Sequence, residues 1–195
     1  MKLIRNLERF PFGIRQPWDQ GWCIPASIEV VTKYHSPNTP VTQPHIVDEY
    51  VRQTKRPADT MGLESITDVL RNDSMFNWAN KNYLKDSDFH GAFAELAQFL
   101  EESVSESKPP IVSIPVAYSD GKWNGWHMYV VVGYDETFFR VYDPNPMLQA
   151  PWHDVPKFTI QGNLYSKKEK ERIDSTDTLL LFPTKVDNDE EKNAR

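Results

Sequence analysis

Two stretches of this chain, Trp126-His-Met-Tyr-Val-Val-Val-Gly133 and Phe138-Phe-Arg-Val-Tyr-Asp143, constrain its fold more than any others. Both are rich in β-branched and aromatic residues, and only Tyr134-Asp-Glu-Thr137 separates them, so they read as an antiparallel hairpin. Side chains alternate between the two faces along a strand. A turn centred near Asp135 sets His127 opposite Asp143 and gives one face His127, Tyr129, Val131, Phe139, Val141 and Asp143. The other face carries Met128, Val130, Val132, Phe138 and Tyr142. With both faces largely apolar, the hairpin belongs at the centre of a sheet that other elements cover.

Helical spacing elsewhere supplies that cover. Ile24, Ile28, Val31 and Tyr34 recur at helical intervals, as do Ile46, Val47, Tyr50 and Val51 behind a Thr42 cap, with Pro44 in the first turn. Leu63, Ile66, Val69 and Leu70 mark a third helix, and Phe93, Leu96, Ala97, Leu100 and Val104 a fourth. The segment from Asn72 to His90 mixes Trp78, Tyr83 and Phe89 with Asn, Asp and Ser, and reads as irregular. Ile111 to Val116 reads as a strand whose Pro115 marks an edge or an interruption. Phe158 to Ile160 and Thr178 to Pro183 are expected to add strands, and Phe10-Pro-Phe-Gly13 an aromatic strap over the body. Ser166 to Arg172 reads as a solvated charged face, and residues 186–195 as a frayed, charged tail beyond a single domain over 1–185.

Composition excludes several functions. Of 195 residues, 22 are Lys or Arg and 28 Asp or Glu, and a net charge of -6 argues against a nucleic-acid or anionic-membrane binder. One cysteine permits neither an intramolecular disulfide nor a Cys-x-x-Cys metal clip, which fits a reducing cytoplasm. The N-terminus interrupts its apolar residues with charge, and no segment has the length of a membrane span, so neither a signal peptide nor a span is expected. No cofactor or metal is expected either. His35, His45, His90 and His153 form no His-x-x-x-His pair, and Asp86, Asp88 and His90 read as a solvated loop.

The cysteine lies where a loop becomes a helix. Gln16-Pro-Trp-Asp-Gln-Gly-Trp22 has loop character, and Cys23 opens the apolar periodicity that follows. At a helix start, unpaired amides and the positive end of the dipole favour a thiolate. Free cysteines are commonly small buried hydrophobes, but this position points to a nucleophile. A thiolate needs an imidazole to carry the proton and a carboxylate to orient it, and His127 with Asp143 supplies both on one face of the hairpin. An amide donor for the oxyanion is available from Gln16 or Gln20. Gln16 is expected, because Gln20 would need a tight reversal at Gly21 to face the sulfur. Trp22, Trp123 and Trp126 flank these residues, as groove walls or as core.

In this order, Cys23-Ile-Pro25-Ala26, Trp126-His127, Gly133-Tyr-Asp135 and Asp143-Pro144 resemble the motifs of papain-like cysteine peptidases. Within them, the chain is similar to the bacteriocin-leader (double-glycine) processing peptidases and their stand-alone relatives. The resemblance implies an α+β papain-like fold, with N-terminal helices packed on a C-terminal antiparallel sheet. It implies catalytic roles for Cys23, His127, Asp143 and Gln16, and a peptide or protein substrate. The expected activity is thiol-dependent hydrolysis of a peptide or amide bond, by a stand-alone enzyme since no transporter segment is attached. Acyl transfer by the same triad, and a non-catalytic binding module on the same fold, are the competing readings. Two departures stand out. Ile24 replaces the family's glycine and is expected to crowd the cleft entrance, and the family's Gln lies about six positions before the Cys, closer than Gln16.

Overall fold

The computed structural model describes residues 1–18, 21–71, 78–82, 89–117, 123–157 and 179–183. Four helices are described, α1 (Cys23–His35), α2 (Gln43–Thr54), α3 (Leu63–Arg71) and α4 (Phe89–Ser105). Seven strands, β1 (Lys2–Leu3), β2 (Trp78–Asn82), β3 (Ile111–Ala117), β4 (Trp123–Tyr134), β5 (Phe138–Tyr142), β6 (Trp152–Pro156) and β7 (Leu179–Pro183), form one sheet. Its order is β2-β7-β3-β4-β5-β6, with β1 added to β4, and every pairing is antiparallel. This is the expected α+β arrangement.

The hairpin is central and covered. β4 lies between β3 and β5, and Val130 and Val131, which project from opposite faces, are both fully buried. Helices α1 and α4 both pack on β4. Helix α1 is enclosed on all sides, with every residue from Ile24 to Thr32 buried, beyond the single apolar stripe its periodicity shows. Ile24 belongs to this core at 6% exposure.

Helix α2 starts as its sequence implies, with Thr42 accepting from the His45 amide and a proline in the first turn. The aromatic strap is present too. Phe10 is buried, with its ring 4.8 Å from Phe12, 5.7 Å from Tyr34 of α1 and 5.6 Å from Tyr142 of β5.

The hairpin register differs from a turn centred on Asp135. Tyr134 pairs with Phe139, so Asp135 is the first corner of the turn, and its Oδ1 accepts from the amides of Thr137 (2.9 Å) and Phe138 (2.8 Å). Further along, Val131 faces Val141 while Gly133 faces Arg140, which leaves Val132 as an extra residue in a β-bulge. Beyond the bulge Val130 faces Tyr142. Continuing that register brings Asp143 opposite Tyr129, not His127. The offset is two residues, so His127 and Asp143 still share a face.

Three strands escape the sequence patterns, the two-residue β1, β2 and β6. β2 occupies part of the segment read as irregular, its Trp-Ala-Asn-Lys-Asn lacking β-rich composition but pairing along its full length with β7. β6 pairs with β5 in a stretch given no strand assignment. Among the described residues β7 pairs with β3 at Ile111 and Val112, and Pro115 is paired with Trp126 of β4. The strand expected at 158–160, the charged face at 166–172 and the tail at 186–195 lie outside the described residues. No helix among the described residues is long and apolar enough to cross a membrane.

Candidate active site

Cys23 is the first residue of α1, and Trp22 is its N-cap, whose carbonyl accepts from the Ala26 amide at 2.9 Å. Trp22 caps the helix with no side-chain hydrogen bond. Pro25 has no amide hydrogen, so the first-turn donors ahead of Ala26 are the N–H groups of Cys23 and Ile24. The thiol is free and half-buried, at the positive end of a helix of 13 residues.

Strand β4 brings His127 to this point. Its Nε2 lies 2.6 Å from Oδ1 of Asp143, which is 4% exposed just past the end of β5. An ionised carboxylate only accepts, so Nε2 carries the hydrogen and Nδ1 is the nitrogen left for Cys23. Burial of the ring lowers the imidazole pKa from its ordinary 6.5, but hydrogen bonds to Asp143 and Cys23, with the charges of both, raise it further. The net value is about 9. The carboxylate of Asp143 thus biases the ring towards its protonated form.

The surroundings fix these groups. Asp143 Oδ1 also accepts the Asn145 amide at 2.8 Å, and the Asp143 amide donates to the Pro151 carbonyl at 2.9 Å. Tyr129 meets the His127 ring edge to face, with centroids 5.1 Å apart, and His153 meets Tyr129 in the same way at 5.8 Å. Burial, and secondarily the charge of Asp143, pushes the Tyr129 phenol up to about 12, so it stays neutral.

Gln16 reaches the site through its backbone, its amide donating to the Pro144 carbonyl at 3.0 Å. The Oε1 of its side chain is buried, without a hydrogen-bond partner among the described residues. Gln20 lies outside the described residues, as do Asp86 and Asp88. Among the described residues no three His, Cys, Asp or Glu side chains gather as a metal site would require. His35 closes α1 at the end opposite Cys23, and burial followed by the charge of Lys108 lowers its pKa to about 4. Of the residues named from the sequence, Cys23, His127 and Asp143 lie together, and Gln16 joins them by a backbone bond to the Asp143 turn. The sequence reading missed Tyr129 as the ring against His127, although the two share a face at adjacent positions, and it gave His153 no connection to the site.

A cysteine at a helix start facing a histidine and an aspartate on an antiparallel sheet is the arrangement of a papain-like cysteine peptidase fold. The chain belongs to the Peptidase C39 like family, whose model matches residues 8–169. No curated protein sequence matches it. Two solved structures share the fold. One is the peptidase domain of Streptococcus ComA, a bi-functional ABC transporter involved in a quorum sensing pathway, with 14% identity, a TM-score of 0.52, and coverage of 87% of this chain and 95% of that one. The other is a protein assigned as a C39-like peptidase from Bacillus anthracis, with 13% identity, a TM-score of 0.58, and coverage of 95% and 99%. Family and fold support a cysteine peptidase-type function.

Proposed function

We propose that the chain hydrolyses a peptide or amide bond through a Cys23–His127–Asp143 triad and an acyl-enzyme. The observation that carries this reading is the single imidazole held between a buried carboxylate at 2.6 Å and a thiol at a helix N-terminus. Cys23 Sγ attacks the substrate carbonyl carbon, and the C=O electrons move onto oxygen. The Cys23 amide and the Gln16 side chain stabilise that oxyanion. As the tetrahedral intermediate collapses, the C–N bond breaks and His127 Nδ1 delivers its proton to the leaving amine. Water then gives a proton to Nδ1 as it attacks the thioester, releasing the acid and restoring the thiolate. Asp143 keeps the ring oriented and stabilises the imidazolium throughout.

Labelling with iodoacetamide across pH tests the pair directly. Alkylation of Cys23 near neutral pH is expected to be fast and to slow in His127→Ala, and equal rates in the two proteins would remove the basis for the triad. Incubating the protein with candidate peptides and amines and weighing the products separates hydrolysis from acyl transfer. A product carrying the amine would redirect the assignment to a transferase.

A further inference from the structure

Arg15 belongs to none of the sequence motifs, yet it and the next residue hold the turn that carries Asp143. Its half-buried guanidinium donates through Nη1 to the carbonyls of Asp143 (3.0 Å) and Asn145 (2.8 Å), and Nη2 lies 3.5 Å from the Leu148 carbonyl. The carbonyl between the first two, that of Pro144, accepts the Gln16 amide at 3.0 Å. Three consecutive carbonyls are thus bound by two consecutive residues. Within the same turn the Asn145 amide fixes Asp143 Oδ1, the atom that receives His127.

Arg15 is anchored on its other side as well. Its carbonyl accepts Gln43 Nε2 at 2.9 Å, and the Gln43 amide donates to Glu29 Oε2 at 3.2 Å. Glu29 is buried on α1 and bonded to Lys33 Nζ at 2.5 Å. Since α1 begins at Cys23, the bonds close a circuit: from α1 through Glu29, Gln43 and Arg15 to the Asp143 turn, and through His127 back to Cys23.

We propose that Arg15 is a positioning residue, which grips the carbonyls on either side of Pro144 to hold the Asp143 carboxylate on His127 and to lock the Gln16 segment to the same turn. This rests on the reading of Cys23, His127 and Asp143 as one catalytic unit. The residue type fits the task. The carbonyls of residues 143 and 145 are separate targets that a planar, permanently charged fork with several fixed donors can serve together, whereas lysine offers a flexible point charge.

A merely structural arginine would change the melting temperature and leave the His127 environment alone. The test is therefore an NMR titration of the His127 ring in the wild type, Arg15→Met, Arg15→Lys and Asp143→Asn, with folding checked by circular dichroism. Among the described residues, the ionisable groups facing that ring are Cys23 from α1, Asp143 past β5 and Tyr129 on its own strand. Arg15→Met is expected to lower the midpoint in the same direction as Asp143→Asn, by about one pH unit, a roughly tenfold change in proton affinity. Arg15→Lys is expected to lower it less. If Asp143→Asn moves the midpoint and folded Arg15→Met does not, the positioning role is overturned while the triad stands. Should Arg15→Met fail to fold, an unmoved midpoint in Arg15→Lys overturns it. If Asp143→Asn itself leaves the midpoint unchanged, the His127–Asp143 pairing fails and the proposal with it.

Discussion

His127 meets Asp143 on the diagonal of the β4–β5 pair, with Nε2 2.6 Å from Oδ1, although the register carried past Val130 and Tyr142 sets Asn145 opposite the histidine. Asn145 contributes through its backbone, its amide on Asp143 Oδ1 and its carbonyl on Arg15, while its own Oδ1 accepts the Met147 amide at 2.9 Å. Alanine preserves both backbone groups. Asp143→Ala is therefore expected to reduce turnover by about 100- to 10,000-fold, the range for losing the residue that orients a catalytic histidine. Asn145→Ala should stay close to wild type. Full activity in Asp143→Ala alongside a loss in Asn145→Ala, measured on the same peptide, would show that the aspartate is not the orienting group.

The raised imidazole pKa ties stability to pH with a definite sign. A group with an ordinary value of 6.5 that is held at about 9 in the folded protein binds its proton more tightly there than in the unfolded chain. Its contribution is complete below 6.5 and is lost as pH rises through about 9. At full strength it is on the order of 3 kcal/mol, about 1.4 kcal/mol for each pH unit between the two values. Urea unfolding of the wild type should weaken across this window, and His127→Ala should remove that slope. Parallel curves for the two proteins would contradict the coupling.

How far the sequence reached depends on what kind of interaction holds each part. Apolar alternation on both faces made the hairpin legible, and helical periodicity located α1 to α4, because burial writes itself into residue type. Strand β2 was not legible: Asn80 and Lys81 are there because β7 supplies a partner along its length, a tertiary cause without a local signature. The register missed by two because the Asp135 carboxylate makes that residue a corner of the turn and Val132 bulges. Arg15 was invisible for a related reason. Its partners are backbone carbonyls, which every residue has.

The close approach of β1 beside the bulge can be tested at Gly133. Strand β1 pairs there, Leu3 facing Gly133 and Ile4 donating to the Val132 carbonyl at 3.0 Å. A Cβ on Gly133 would lie 2.5 Å from Leu3 Cδ2, 3.0 Å from the Lys2 carbonyl oxygen and 3.3 Å from Arg140 Cβ. The leucine tip can rotate away, but the Lys2 carbonyl belongs to the paired strand and cannot move without loosening it. Gly133→Ala is expected to cost about 1–3 kcal/mol, the usual range for overpacking, with faster hydrogen exchange at the Ile4 amide. Unchanged stability and unchanged exchange would mean that β1 has room to spare.

The last expectation concerns the oxyanion. The backbone of Gln16 is fixed against Pro144, the residue after Asp143, whose carboxylate is hydrogen-bonded to His127. Of its side-chain amide, Nε2 is the end that can donate. An effective donor must come within about 3 Å of the oxygen that develops negative charge beside Cys23. Gln20 is separated from Cys23 by only Gly21 and Trp22, so facing the same point would require the chain to reverse sharply at Gly21. Losing one donor of this kind lowers kcat by about 100- to 1000-fold. Substrate affinity should change less, because the bond forms mainly in the transition state. Gln16→Ala is expected to show that pattern, with Gln20→Ala near normal. A loss of that size in Gln20→Ala, alongside a nearly normal kcat in Gln16→Ala, would transfer the oxyanion role to Gln20.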